Sequence, residues 1–249
     1  MVADNVTDNK IADKTRAFDA LYRQEHESHF TAERTRLEVD TLVAVLDLNP
    51  SERILDLGCG WGRHLRELKE RNFTSLVGVD VHEAFLESVS EVELIAGDVA
   101  KGLELPYTFD AVYCAFNALF AVPDDATRVL EAVAKLLRPG GRFLFDTTNR
   151  ERLVAENPGR SWRGGEALPW LLEETYFDLL TGAQRIRQQR IFADGRSEMK
   201  MLTRYHYTLA ELVKLFHNAG LSVHDVYGDW QLNTYTAQIP RMMLVSRKD

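Results

Sequence analysis

Residues 54–62 read Ile-Leu-Asp-Leu-Gly-Cys-Gly-Trp-Gly. An apolar run of strand length meets three alternating glycines, and residues 63–71 that follow carry a helical pattern. Glycine permits a tight turn and lets backbone N–H groups come close to a ligand. A strand that enters such a turn and leaves it as a helix is the opening unit of a parallel sheet, in which ligands sit at the carboxyl ends of the strands. The dinucleotide spacing GxGxxG would need glycine at 63, and that residue is Arg63; GxxxxGK[ST] is absent, which removes a P-loop.

Outward from this stretch, short apolar runs alternate with helical segments. Strands are expected at 53–56, 76–80, 92–96, 109–114 and 142–146, and helices at 63–71, 83–90 and 125–137, the last closed by Pro139-Gly140-Gly141. Such alternation means right-handed crossovers and a parallel sheet covered on both faces. Upstream, residues 18–48 read as helical, with Leu37, Thr41, Val45 and Leu48 at three- and four-residue steps and Asn49-Pro50 as the stop. Downstream of Thr148 the texture changes. Residues 170–178, 183–192 and 198–207 read as strands separated by turns at Gly182 and Gly195, an antiparallel insertion. Thr208 and Glu211 form a capping-box pattern that opens a helix to Asn218. Strands at 221–227 and 242–247 close the chain. The expected organisation is one domain over residues 1–249, with a helical cap at 15–49 and an inserted lid at 150–207.

Composition narrows the partners. Thirty Lys and Arg stand against 38 Asp and Glu, a net charge of −8, which opposes nonspecific nucleic-acid binding because that needs surplus cations to neutralise phosphates. The two cysteines, Cys59 and Cys114, cannot make a disulfide framework, and no Cys or His spacing suggests a metal site. The first residues are polar, without the apolar core of a signal peptide, and no run reaches the length of a membrane span. A cytoplasmic protein with a small-molecule partner, no nucleic acid and no membrane, as a monomer or homodimer, is the expectation.

Asp80 ends the second expected strand, where an acid can accept hydrogen bonds from both ribose hydroxyls of a nucleoside; it can equally cap the helix that follows. Asp98 reads as a loop acid that caps local N–H groups.

Five segments in order carry a resemblance: ILDLGCGWGRH (54–64), VGVD (77–80), LIAGDV (94–99), FDAVYCAFNALFAV (109–122) and LLRPGGRFLFD (136–146). Together they resemble the class I S-adenosylmethionine-dependent methyltransferases. Later segments, DTTNRERL (146–153), TRYHYTLAEL (203–212) and the end of the chain, look like the small-molecule branch that includes aminosugar N-methyltransferases. The resemblance implies a doubly wound α/β fold whose seven-stranded, mostly parallel sheet has an antiparallel last strand, beside the inserted β lid and the N-terminal helical segment. It implies S-adenosyl-L-methionine as cofactor. Asp56, Gly58, Cys59 and Gly60 match the loop that holds its methionine part, Asp80 and Val81 the ribose end, Asp98 and Val99 the adenine, and Cys114 and Ala115 the strand end beneath it. Tyr22 is a candidate to close over the cofactor. The stretch after Val81 is short, so its helix is expected to be truncated, and no Asn/Asp-Pro-Pro-Tyr sequence marks adenine or glutamine methylation.

The implied reaction is in-line displacement at a sulfonium methyl, to N or O of a small molecule. The acceptor side has its own candidates. His206, Asp146 and Tyr176 are the expected catalytic groups, with His206 as a possible general base. Phe116, Asn117, Asn149, Tyr205 and Trp230 are the expected substrate contacts. Trp162, Trp170 and Tyr176 are aromatic residues available to a lid over a cationic acceptor. Arg34 and Arg36, and Arg185, Arg187 and Arg190, read as solvated charge. Competing readings are a nucleotide-dependent oxidoreductase on a doubly wound fold, a non-catalytic S-adenosylmethionine-binding protein and an RNA methyltransferase.

Overall fold

The computed structural model describes residues 29–86, 92–116, 123–156, 159–165 and 169–249. These divide into two units, one of residues 30–153 with 207–249, the other of residue 29 with 154–206.

In the larger unit helix α1 spans Ala32–Val45, followed by β1 Arg53–Leu57, α2 Arg63–Glu70, β2 Ser75–Asp80, α3 Glu83–Leu86, β3 Glu93–Ala96, β4 Phe109–Cys114, α4 Pro123–Leu136 and β5 Leu137–Thr148. Helix α5 Arg150–Glu156 leads into the second unit with β6 Arg160–Arg163, β7 Trp170–Asp178, β8 Ala183–Ile191 and β9 Ser197–Tyr205. The chain then returns to the larger unit with α6 Leu209–Asn218, β10 Leu221–Tyr227 and β11 Arg241–Lys248.

The seven strands of the larger unit are ordered β10-β11-β5-β4-β1-β2-β3. Pairings β1–β2, β1–β4, β2–β3 and β4–β5 are parallel, while β11 runs antiparallel to both β5 and β10. Each successive crossover from β1 goes one way to β2 and β3, and the later ones the other way to β4 and β5. The order therefore reverses between β1 and β4, which puts the glycine turn after β1 at the switch point of the sheet.

Alternate side chains of each central strand feed opposite layers, which is why these strands read as continuous apolar runs. Leu55, Val112, Phe143 and Phe145 pack with Val129, Leu130 and Val133 of α4 and with Leu212 and Phe216 of α6. Ile54, Ala111, Tyr113 and Leu144 pack on the other face with Val39, Leu42 and Leu46 and with Leu65 and Leu68 of α2. Burying one such leucine contributes about 1.5–3 kcal/mol. The capping box at the start of α6 is present: Thr208 Oγ1 accepts from Glu211 N at 3.3 Å, and Glu211 Oε2 accepts from Thr208 N at 2.7 Å.

Three expectations shift. The buried face of α1 is Thr35, Glu38, Val39, Thr41 and Leu42, while Leu37 is 37% exposed. Of the stripe read from Leu37, Thr41 lies on this face and Val45 and Leu48 pack against the same core, while Leu37 points away and Glu38 takes the inward position. Strand β5 begins at Leu137, which pairs with Phe109 ahead of a register shift. Pro139-Gly140-Gly141 thus lies within a long β5 and does not separate helix from strand. The second unit is a four-stranded antiparallel sheet ordered β6-β7-β8-β9, and its first strand, with exposed Arg160–Arg163, has no apolar alternation to signal it.

Candidate cofactor and acceptor site

The turn after β1 is held from β2. Gly58 N and Cys59 N both donate to Val79 O, at 2.7 and 3.1 Å. Asp80, 8% exposed at the end of β2, receives Gly60 N on Oδ2 and His82 N on Oδ1, each at 2.8 Å. The carboxylate thus fixes the turn, and each oxygen still has a lone pair to accept from a ligand. Gly60 has φ +53°, and a Cβ placed on it would meet nothing within 4 Å, so the turn faces open space.

Asp56 is 3% exposed one strand away. Burial pushes its carboxyl up to about 7, against the Tyr113 hydroxyl and the Arg63 guanidinium, which pull it down. Burial beside Asp56 also raises the Cys59 thiol far above its usual range, so Cys59 is no nucleophile. Next to β3, Asp98 Oδ1 accepts from Ala100 N at 3.0 Å and caps the single turn Val99–Lys101; Val99 is buried and Val81 is exposed.

A second cluster lies toward β4, β5 and β11. Cys114 is fully buried, Ala115 nearly so, and Phe116 follows with φ +59°, a left-handed conformation uncommon for an aromatic residue. Its backbone is held there: Phe116 N donates to Asp146 Oδ2 at 2.9 Å. Asp146 also takes a two-pronged pair from Arg241, with Nε to Oδ1 and Nη2 to Oδ2 both at 2.7 Å. The Phe116 ring stacks on Trp230 at 5.8 Å and on His64 at 6.3 Å, and meets Phe30 edge-on at 5.5 Å; Phe30 also meets Trp61. Three guanidinium carbons lie near the same ring, Arg63 at 5.1 Å and Arg34 and Arg241 at 5.3 Å.

Glu38 of α1, 1% exposed, supports this cluster from below. It accepts from Arg34 Nε at 2.9 Å, from Arg63 Nη1, and from His64 Nε2 at 2.9 Å. Burial would raise its carboxyl, but the His64 hydrogen bond and the Arg63 charge overcome that and bring it to about 2. Burial lowers His64, so the imidazole is neutral and its Nε2–H is the donor to Glu38.

The family described as a methyltransferase domain matches residues 54–141. A ubiquinone biosynthesis O-methyltransferase of Neisseria meningitidis is 26% identical over 90% of this chain and 86% of its own length. Among solved structures, the CcbJ methyltransferase from Streptomyces caelestis superposes with a TM-score of 0.73 at 22% identity, covering 86% of this chain and 89% of that one. An amino pentose methyltransferase from Micromonospora echinaspora, solved with S-adenosylmethionine bound, has a TM-score of 0.65 at 20% identity over 93% of this chain and 98% of its own. The chain is an S-adenosylmethionine-dependent methyltransferase.

The residues of this methyltransferase fit its cofactor. Open space lies over Gly60, Asp80 offers free lone pairs at the end of β2, and the buried Asp56 carboxyl suits a cationic ligand. The matches favour methyl transfer over the oxidoreductase and RNA readings.

Several other expected residues have different surroundings. Asp146 is fully buried with both oxygens occupied, so it positions Phe116 and Arg241 and is not a free base. Asn149 is likewise fully buried. Its Nδ2 donates to Thr236 O and Ile239 O, and its Oδ1 accepts from Glu151 N and the Tyr235 hydroxyl, which braces the 228–240 loop and leaves nothing for a substrate. In the second unit His206 is 6% exposed, with Nε2 at 2.9 Å from Gln184 Oε1 and its ring tilted on Phe177. Tyr176, 64% exposed, lines an open depression with Arg185, Arg187 and Met201, and Tyr205 is half-buried at the end of β9. Arg190 is buried, unlike Arg185 and Arg187 on that strand, and Arg34 is half-exposed and paired with Glu38. Trp230 takes part in the aromatic cluster as described. Tyr22 and Asn117 lie outside the described residues.

Sequence reading passed over Glu38, Arg63, His64, Phe30, Trp61 and Arg241. One signal was available: Arg63 and His64 directly follow the last glycine of the turn. Among the described residues no group of His, Cys, Asp and Glu is placed to hold a metal ion, and no helix is long and apolar enough to cross a membrane.

Proposed function

We propose that this methyltransferase alkylates a nitrogen or oxygen of a small-molecule acceptor by in-line displacement, with an amine as the preferred nucleophile. S-adenosylmethionine supplies a methyl group on a positively charged sulfur, which leaves as a neutral thioether without acid assistance. Asp80, Gly58 and Gly60 would hold its ribose and methionine parts, Asp56 would face its cationic end, and Asp98 and Val99 would meet the adenine. Cys114 and Ala115 form the floor at the end of β4. With the nucleophile aligned, alignment itself supplies much of the rate.

The observation that carries the amine preference is the state of the acids and bases near Phe116. Asp146 is committed to Arg241 and Phe116 N, and His64 to Glu38. An amine that is unprotonated at working pH needs neither, and the ammonium formed on transfer releases its proton to solvent, whereas a phenol or an alkylammonium would need a base that this cluster does not offer. The amino pentose methyltransferase among the structural neighbours and the small-molecule O-methyltransferase among the curated relatives both fit a small acceptor. In this reading residues 150–207 serve acceptor choice as a lid.

The test is a methyl-transfer screen over amines, aminosugars, phenols and carboxylates, read by product mass. Transfer to amines with little to phenols supports the proposal. Transfer confined to phenols overturns the amine preference, and no S-adenosylmethionine binding in calorimetry overturns the cofactor assignment.

A further inference from the structure

The cluster around Phe116 holds two buried donors with no acceptor. Arg63 uses Nη1 on Glu38 and on Thr35 Oγ1 at 3.1 Å, while its Nη2 has no hydrogen-bond partner. Trp230 is 5% exposed, and its indole Nε1 also lacks one. Leaving a buried donor without an acceptor is unfavourable, and more so for a charged group. Both side chains border the same ring, Arg63 with its guanidinium carbon 5.1 Å from the Phe116 centroid and Trp230 stacked on it at 5.8 Å. Neither side chain is loose. Arg63 is tied to Glu38, and Trp230 is fixed through its carbonyl, which accepts from Thr41 Oγ1 at 2.6 Å. Two positioned, unsatisfied donors in one aromatic enclosure match a ligand acceptor.

We propose that Arg63 and Trp230 form an anion subsite that receives a carboxylate carried by the methyl acceptor. A guanidinium edge and an indole N–H are suited to the two oxygens of a carboxylate. The enclosure of Phe30, Trp61, Phe116 and Trp230 suits a flat or apolar body attached to it. The nearby carboxyls of Glu38 and Asp56 oppose a doubly charged phosphate. Sheet order separates this place from the cofactor's expected contacts. Asp80 and Asp98 follow β2 and β3 on one side of β1, whereas Phe116 follows β4 and Asp146 and Arg241 lie on β5 and β11 on the other; the glycine turn and Cys114–Ala115 are the border between the two places. The Asp146–Arg241 pair acts as a positioning element, because it fixes the backbone of Phe116 in its left-handed conformation.

The inference rests on the methyltransferase reading and adds that the acceptor is an acid. It is tested on the full chain saturated with S-adenosylhomocysteine, by calorimetric titration with benzoate and with benzamide. Benzoate should bind at least about tenfold more tightly than benzamide, as expected for one charge-assisted pair. Trp230→Phe keeps the ring stack and loses only the N–H, and Arg63→Met loses the charge. Each should bring the ratio below about threefold while the affinity for S-adenosylhomocysteine stays within about threefold. Arg63→Lys, which retains the charge for folding, should recover part of the preference. Equal binding of benzoate and benzamide overturns the subsite, as does a preference that survives both variants. Competition between benzoate and S-adenosylhomocysteine would assign the donors to the amino-acid end of the cofactor and also overturn it. If S-adenosylhomocysteine fails to bind the unaltered chain, the methyltransferase reading fails instead, a separate readout in the same instrument.

Discussion

The two sides of the switch point are built differently. Toward β2 and β3 the site is held by backbone: Gly58 N, Cys59 N and Gly60 N reach Val79 O and one carboxylate, and glycine supplies the geometry. Toward β4, β5 and β11 it is held by side chains distant in sequence, with Asp146 fixing Phe116 and Arg241, and Glu38 fixing Arg34, Arg63 and His64. A backbone cradle can serve any chain that binds the same nucleoside. A side-chain lattice can be changed residue by residue, which suits the half proposed to receive the acceptor.

The largest expected effect is on the backbone side. Asp80→Ala removes two charge-assisted hydrogen bonds within the chain, worth about 1.5–3 kcal/mol each, and the acceptor for ribose, so cofactor affinity should fall at least about 100-fold. Unchanged affinity in calorimetry would break the contrast, because the cradle would then stand without its acid.

Next is Asp146→Ala on the other side. It leaves Arg241 without its partner and Phe116 N without its acceptor, and should cost about 3 kcal/mol of stability. Denaturant unfolding reads this loss. Cofactor affinity should change little, and a parallel collapse of both would show that the two halves are one device.

Smaller, and on the boundary between the halves, is the titration of Asp56. Its carboxyl is raised by burial to about 7 in the folded chain, so the folded state without ligand favours the protonated form. The folded chain then holds a proton that the unfolded chain has lost, and stability falls as pH rises from the ordinary aspartate range toward 7. A cationic cofactor prefers the ionised form, so its affinity should rise over the same interval, by up to about tenfold per pH unit, and level off above 7. Calorimetry in buffers of different ionisation enthalpy would show proton release below 7. Asp56→Asn should flatten the profile.

The smallest is Thr41→Val, which removes the hydroxyl bond to Trp230 O and should cost about 1 kcal/mol. A rise in KM for the acceptor at constant cofactor affinity would sharpen the assignment of Trp230 to the acceptor half.

The same contrast explains what could be read in advance. The backbone half was legible because alternating glycines after an apolar strand, and an acid at the end of the next strand, are local patterns with a local cause. The sheet was legible for the same reason: strands buried on both faces write themselves as apolar runs. The side-chain half was not. Glu38 takes an inward position on α1, while Leu37, read as part of the apolar stripe, points away. Asp146 and Arg241 meet only because β11 pairs with β5 across 95 positions of chain. Asn149 looked available since sequence shows residue type but not whether the hydrogen-bonding capacity is already taken.

Strand β11 lies inside the sheet, between β10 and β5. It is therefore a late insertion between neighbours made earlier, and during synthesis the sheet stays open along β5 until residues 241–248 emerge. Arg241 arrives with that strand, so the cofactor turn can form on a nascent chain well before Asp146 meets its partner. Contacts of such long range are slow to form, and loop closure sets their pace. The Asp146–Arg241 pair therefore forms late, and a chain stopped before residue 241 would leave the β5 edge unpaired.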